Sequence, residues 1–323
     1  MKQLSRQLAG DFIVLDLGSA HSEIIVQAGP EVCQAVTLIE VDALAKESGE
    51  KPTPFFRRVI VPHAVAGSSG ARAFHVRRYP ECSSFLQAKS ELVKAYGLEA
   101  YFEEVKVLQF DCITLPQLLE RHGIKRIDFL KTDLEGLDFE ILSTSADFLP
   151  DSLIVQCELR FQPFFEGEGS FNEAANLLAA KGFELVSMRS NFWKYATPHR
   201  REHRDGRIVW ADCIFLLREE IVRGRPDFWK AAAKQMILAK MIGLQNVAEF
   251  LFQRYSGVIP RAEQAELRAW LAPAPRIDWK LANLISRMPG GTQALGAARR
   301  FFRWGYEAAS QFPDEVIAPP PAI

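Results

Sequence analysis

"FLKTDLEGLDFEIL", residues Phe129 to Leu142, decides the fold. Its first half is a short apolar run, and its second half carries Leu134, Leu137 and Ile141 at helical spacing. A buried strand passing at once into a helix is the repeating step of an α/β sheet. Two carboxylates, Asp133 and Glu135, stand at the join with Gly136. The economical reading makes Asp133 the helix N-cap and puts Glu135 in the first turn, where the helix dipole favours negative charge. That reading leaves Glu158 and Asp212 unexplained, since each interrupts an otherwise apolar run. Lys131 also needs a partner if its strand is buried.

The same alternation extends in both directions. FIVLDLG (Phe12–Gly18), AVTLIEVD (Ala35–Asp42) and RVIVPHAVAG (Arg58–Gly67) are β-branched runs closed by breakers, which suits buried strands. GARAFHVRRYPECSSF (Gly70–Phe85) reads as a hairpin-like segment and VKVLQFD (Val105–Asp111) as a peripheral strand. Thr114 and Gln117 form a capping box for a helix that ends at Gly123, with His122 in its last turn. IDFLKTD (Ile127–Asp133) and LIVQCEL (Leu153–Leu159) are the next strands. Ser170 and Glu173 form a second capping box, and Lys181-Gly182 closes that helix. FELVSM (Phe183–Met188) and IVWADCIFLL (Ile208–Leu217) end the sheet as a candidate antiparallel pair. The pattern predicts a mostly parallel α/β sheet covered on both faces.

After Pro226 the periodicity is helical only, with Trp229, Met236, Met241, Leu244, Val247 and Leu251 recurring on one face. The expected organisation is a main domain over 1–222, a helical C-terminal extension over 223–310 and a disordered tail over 311–323. The extension is expected to dock on the main domain. Arg299-Arg300-Phe301-Phe302-Arg303-Trp304 offers a membrane surface or partner helix as the alternative.

A net charge of −1 over 323 residues gives no global attraction to nucleic acid or to an acidic partner. The five cysteines form no CxxC pair and read as buried thiols in a reducing compartment, not as a disulfide frame or zinc site. MKQLSRQLAGD lacks a signal-peptide core, and no run of about 18 apolar residues exists to span a membrane. The expectation is a cytoplasmic protein. The loop from Arg189 to Arg207, with Lys194, Arg200, Arg201 and Arg204, reads as a solvated loop, an acidic or phosphorylated saccharide being its alternative contact.

Open parallel sheets bind ligands beyond the carboxyl ends of their strands. Asp16, Gly18 and Ser19 end the first strand, Glu40 and Val41 the second, and Ala64 the third. Asp133 and Glu135 end the fourth, and Glu158 the fifth. Glu40 stands 24 residues after Asp16, the right distance for a carboxylate that takes both ribose hydroxyls of a nucleoside. No GxGxxG is present, and Gly18 is the only glycine in its loop. S-adenosylmethionine, a nucleoside cofactor without phosphates, needs less of a backbone nest. A plain strand-to-helix turn is the other reading of Gly18. Several carboxylates converging on one sheet edge suit a site that takes a proton or holds a divalent cation such as Mg.

Together these residues carry a resemblance. "CITLPQLLERHGIKR" followed by "IDFLKTDLEGLDFEIL" resembles the signature block of the FkbM family of methyltransferases. "VLDLGSAHSE" is similar to that family's cofactor loop, "LIEVDA" to its second acidic motif, "HAVAGSSG" to its alanine-valine turn and "SSF" at Ser83–Phe85 to its serine step. "FNEAANLLAAKGFELV" and "GRIVWADCIFLLR" resemble the closing helix–strand–strand. The span runs from Phe12 to Arg218. Ser22 stands where the family usually has a second glycine, and Val41 where it commonly has proline.

The resemblance implies a Rossmann-like, seven-stranded, mostly parallel sheet of the class I methyltransferase type with a C-terminal helical extension. It implies S-adenosylmethionine-dependent O-methylation of a hydroxyl on a sugar, glycan or related natural product. Asp16, Gly18, Ser19, Glu40, Val41 and Ala64 would line the cofactor pocket. Asp133 would be the base, with Glu135 and Glu158 as supporting or cation-holding carboxylates. Two rivals stand beside it: a non-catalytic binding or scaffold protein whose loop is degenerate at Ser22, and a dinucleotide oxidoreductase, which the missing GxGxxG disfavours.

Overall fold

The computed structural model describes residues 1–18, 29–45, 49–50, 53–200, 202–203 and 205–272. Ser19, His21, Ser22, Arg201, Arg204 and everything after residue 272 lie outside the described residues, including the expected tail and the Arg299–Trp304 stretch.

Eleven strands follow in chain order among the described residues: β1 (Phe12–Leu17), β2 (Val36–Val41), β3 (Gly49–Glu50), β4 (Arg57–Val61), β5 (Ala64–Val65), β6 (Gly70–Arg77), β7 (Glu104–Ile113), β8 (Phe129–Thr132), β9 (Ile154–Arg160), β10 (Phe183–Trp193) and β11 (Arg207–Leu217). Eight of them form one sheet in the order β10-β11-β9-β8-β1-β2-β4-β3. The run β4-β2-β1-β8-β9 is parallel throughout. Its order reverses between β1 and β8, the topological switch point of a Rossmann-like sheet. β11 inserts between β9 and β10 and is antiparallel to both. The sheet therefore has the seven expected strands plus the two-residue edge strand β3. Every residue of β2, and all but Ile13 of β1, is buried. Continuous apolar runs rather than alternation follow from covering both faces.

RVIVPHAVAG does not form the single strand expected. β4 stops at Val61, and β5 pairs with β7 in a second, three-stranded sheet, β5-β7-β6. Ala64 is thus the first residue of the smaller sheet, beyond the end of β4. Residues 64–113 form an insert that packs beside the carboxyl ends of the main strands. They include helices α3 (Ser90–Tyr96) and α4 (Glu99–Phe102).

Both capping boxes exist as read. Thr114 caps α5 (Leu115–Arg121) with Gln117, and Ser170 caps α7 (Phe171–Ala180) with Glu173. The N-cap reading of Asp133 fails: α6 (Asp138–Thr144) begins five residues later, with Leu137 at its N-cap. Neither Asp133 nor Glu135 belongs to a helix end, so the economical explanation of both acids is gone.

A helix also precedes β1. This helix, α1 (Lys2–Leu8), ties to α11 (Arg261–Leu271) through Gln3 and Gln7, whose side chains donate to Glu263. The C-terminal residues break at Gly243, φ +86°, into α9 (Phe228–Met241) and α10 (Gln245–Tyr255). Ala231, Met236 and Ile237 of α9 are buried in the same core as β9. Lys234 reaches Asp11 and Asp128, which precede β1 and β8. α9 therefore covers the amino-terminal edge of the sheet. Among the described residues, the 64–113 insert and not these helices lies beside the opposite edge. Among the described residues no helix is long and apolar enough to cross a membrane.

Candidate active site at the switch point

Register fixes which side chains can meet. Asp16 lies beside Glu40 on β2 and Lys131 on β8. One row further on, Glu158 lies opposite Asp212, and Asp212 opposite Arg189. Strand side chains alternate with a period of two, so both rows emerge on one face of the sheet. The buried polar residues that interrupted the apolar runs are therefore one surface at the carboxyl edge.

At the centre, two backbone loops touch. Gly18 has φ +85°, and a Cβ there would overlap the Asp133 carbonyl, lying 2.9 Å from its carbon. The Gly18 N–H donates to the Val41 carbonyl at 3.0 Å, and the Asp133 N–H to the Leu17 carbonyl at 3.1 Å. Gly18 is needed for this close approach and is more than a turn residue.

Lys131 is the cation of the first row. Its Nζ lies 3.3 Å from Asp16 and 3.5 Å from Asp133. Burial opposes its charge, yet the two carboxylates hold its pKa above the usual lysine value. Glu40, 4% exposed, is held bidentately by Arg58 at 2.5 and 3.0 Å. The sequence did not single out Arg58. A carboxylate has about four lone-pair sites, so this fork leaves acceptor capacity on Glu40. Val41 is buried beside Gly18, and Ala64 is buried in the smaller sheet.

The Asp133–Asp138 loop is unusual. Glu135 has φ +47°, the one positive φ at a non-glycine among the described residues. Such a conformation costs free energy and persists where its surroundings impose it. The Leu134 N–H donates to Asp138 Oδ2 at 3.2 Å, and Ser84 Oγ donates to the Glu135 carbonyl at 2.6 Å.

Beyond the loop lies a buried guanidinium that the sequence reading missed. Arg160 Nη2 is 2.8 Å from both Glu135 Oε2 and Glu158 Oε1. Its Nε lies 2.9 Å from Glu168 Oε1 without the alignment of a hydrogen bond. Period-two counting from Glu158 was the available signal for Arg160. Oxygen atoms of Asp133, Glu135 and Glu158 lie within 4.8 Å of one another. Burial pushes Glu135 up to about 8 and Asp138 up to about 7, and it raises Glu158 well above the carboxylate range, against the pull of Arg160. Asp212 is raised by burial and by Asp133. The cluster thus holds protons near neutrality and has the donor set for a divalent cation.

Of the residues expected at the site, Asp16, Gly18, Glu40, Asp133, Glu135 and Glu158 stand at the carboxyl edge. Ser19 lies outside the described residues. The loop after β10 is tied to the insert at Arg200, which donates to the Tyr96 carbonyl, while the bond from Arg207 to the Tyr195 hydroxyl is exposed.

A parallel sheet with its acids at a switch point, closed by a reversed strand pair, is a Rossmann-like α/β architecture. Residues 23–185 match the family model described as "Methyltransferase FkbM domain", just over half of the chain. The chain belongs to the FkbM methyltransferase family. The matched span contains Glu40, Asp133, Glu135 and Glu158, while Asp16 and Gly18 precede it. No curated protein matches the sequence significantly.

Among solved structures, the chain is similar to Sp1610 of Streptococcus pneumoniae, a candidate tRNA methyltransferase, at 11% identity and TM-score 0.27, covering 83% of this chain and 93% of that one. It is also similar to a protein of the NADB-Rossmann superfamily from Streptococcus agalactiae, at 12% identity and TM-score 0.26, covering 83% and 91%. Likenesses at that level carry no argument about activity.

Proposed function

We propose that the protein transfers a methyl group from S-adenosylmethionine to a hydroxyl of a sugar, glycan or related natural product. The observation that carries the reading is the meeting of Gly18 with the Asp133 backbone at the switch point, inside a chain of the FkbM family. The bare backbone of Gly18 and the carboxylate of Glu40 at the tip of β2 fit a nucleoside cofactor without phosphates. S-adenosylmethionine supplies an activated methyl on a sulfonium. The chain's own residues orient it and take the acceptor's proton. Asp16, fixed by Lys131, and Gly18 shape the methionine end, and Glu40, fixed by Arg58, takes the ribose.

Asp133 is the proton acceptor. It is the most open of the three clustered carboxylates, its side chain 38% exposed against 26% for Glu135 and 9% for Glu158. Glu135, pushed up to about 8 by burial, holds its proton near neutrality, and burial raises Glu158 in the same direction, so both are poorer first acceptors. They position Arg160 and can close a divalent-cation site with Asp133. Holding the acceptor oxygen in line with the methyl group accounts for much of the acceleration in such transfers, up to about 7–11 kcal/mol in well-aligned systems.

Titration calorimetry with S-adenosylmethionine tests the reading. Micromolar binding that is lost in Glu40→Ala supports it. A folded, cofactor-free sample that binds nothing favours the scaffold reading. Asp133→Asn with full turnover on a discovered acceptor removes Asp133 as the base.

A further inference from the structure

We propose that Ser84, contributed by the 64–113 insert, is the positioning residue that fixes Glu135 in its left-handed backbone conformation and so aims its carboxylate at Arg160. The inference rests on reading the carboxylate cluster as the reactive site, and it adds a residue on another element that acts through Glu135.

Ser84 is 1% exposed, and its hydroxyl both donates and accepts. It donates to the Glu135 carbonyl at 2.6 Å and accepts the Leu86 N–H at 3.0 Å. Its backbone is held on both sides by His75 of β6, through the His75 N–H at 2.8 Å and the Ser84 N–H at 3.3 Å. The turn carrying Ser84 is braced independently. Arg77 donates to the Cys82 carbonyl at 2.6 Å and the Leu86 carbonyl at 2.9 Å, and Ser83 Oγ accepts the Arg77 N–H at 3.0 Å. The Arg77 guanidinium lies between the rings of Phe102 and Phe165, at 5.5 and 5.4 Å. Phe165 is also covered by Arg160, at 5.4 Å. The Ser84 hydroxyl is therefore a fixed point anchored in the smaller sheet.

Glu135 is the opposite case. A glutamate at φ +47° leaves that region unless something holds it. The next residue, Gly136, has φ +99° and is packed against Phe165, so the loop has no slack on that side. Losing the Ser84 hydrogen bond removes the contact that fixes the Glu135 carbonyl. Relaxation of φ then rotates the side chain away from Arg160 Nη2. The charged and titratable groups around Glu135 are Arg160 and Glu158 of β9, Asp133 of its own loop, Asp138 of α6, Glu168, and Cys82 and Arg77 of the insert.

The test is the backbone and guanidinium NMR spectrum of the full chain, with Glu135 assigned through Glu135→Gln and Arg160 through Arg160→Met. The expected result in Ser84→Ala is that the Glu135 Cα and Cβ shifts leave the left-handed range for the extended one, and that the Arg160 guanidinium nitrogen shifts move with them as the carboxylate leaves Nη2, while exposed Glu103 and Glu173 stay put. Ser84→Cys, nearly isosteric and a weaker donor, gives a smaller change and serves if Ser84→Ala does not fold. Unchanged Glu135 shifts in a folded Ser84 variant overturn the proposal. The experiment uses neither cofactor nor acceptor. A protein that shows the shift but binds no S-adenosylmethionine loses the functional reading and keeps this one, and the reverse pattern does the opposite.

Discussion

Gly18 and Asp133 are in backbone contact: no atom larger than hydrogen fits on the Gly18 α-carbon without displacing the Asp133 carbonyl. The contact joins the loops after β1 and β8, the two strands between which the sheet order reverses. Gly18→Ala is expected to destabilise the protein by at least about 2 kcal/mol, combining left-handed strain with a backbone clash. It is also expected to weaken S-adenosylmethionine binding. Gly123→Ala is the control. Gly123 has φ +63°, but a Cβ there would meet nothing within 4 Å, so about 1 kcal/mol is expected. Urea unfolding of both variants measures the difference, and equal costs would dismiss the contact as incidental.

Protonation of the cluster sets a pH dependence with a definite sign. Glu135, pushed up to about 8, and Asp138, pushed up to about 7, bind protons more tightly folded than unfolded. Stability is therefore fully present below the unfolded carboxylate values near 4, and it declines as pH rises through about 7 to 8. Each such proton contributes a slope of up to about 1.4 kcal/mol per pH unit within that window. Thermal melts between pH 5.5 and 8.5 are expected to fall with pH, and Glu135→Gln and Asp138→Asn each to flatten the fall. A divalent cation that displaces the protons is expected to raise the melting temperature most at the alkaline end.

Arg160 is the shared counter-charge of Glu135, Glu158 and Glu168. Removing one partner of a buried ion pair costs about 3–5 kcal/mol because the other charge is left uncompensated. Arg160→Met is expected to lie in that range, with a loss that grows from pH 6 to pH 8 as the carboxylates shed protons. Arg160→Lys restores little, since a point charge cannot reach several carboxylates as a planar fork does. Denaturant midpoints at two pH values check both statements. A pH-independent loss would mean that the carboxylates are not raised.

The parallel strands and both capping boxes were legible because local periodicity and local hydrogen bonding determine them. The carboxylates were legible as interruptions of apolar runs. What stayed hidden was non-local. Asp133 reads as an N-cap because the loop to Asp138 is not coded by any turn residue before Gly136. Arg58 and Arg160 look like ordinary strand ends until register puts them beside Glu40 and Glu158. The division of RVIVPHAVAG between two sheets depends on β7, where Ala64 pairs with Cys112, 48 residues away in sequence. Ser84 was marked only as part of the serine step, and its partner is fixed only when the insert folds back on the switch point.

Lys234 is the staple of the C-terminal helices. It sits in α9 among alanines with 0% of its side chain exposed, a placement that helical periodicity does not distinguish from a solvated lysine. Its Nζ donates to both Asp128 oxygens, at 3.1 and 3.0 Å, and to the Asp11 carbonyl, and it lies 5.7 Å from the centre of the Phe12 ring. Asp128 in turn accepts the Ile13 N–H at 2.8 Å, so the pair locks α9 to the starts of β1 and β8. Lys234→Ala leaves Asp128, 1% exposed, with Arg126 at 3.6 Å as its remaining cation, one that Asp11 and Asp227 also engage. The expected cost is about 3–5 kcal/mol, a fall in melting temperature of roughly 4–7 °C for a chain of this size. Lys234→Met combined with Asp128→Asn removes both charges together and is expected to recover a good part of it. The pair lies at the amino edge, away from the Asp133 cluster, so S-adenosylmethionine affinity in the folded variants is expected to stay within a few-fold of the parent. A single variant that melts like the parent would show that α9 is held by its apolar face alone, and a folded one that loses cofactor binding would show that the two edges of the sheet are coupled.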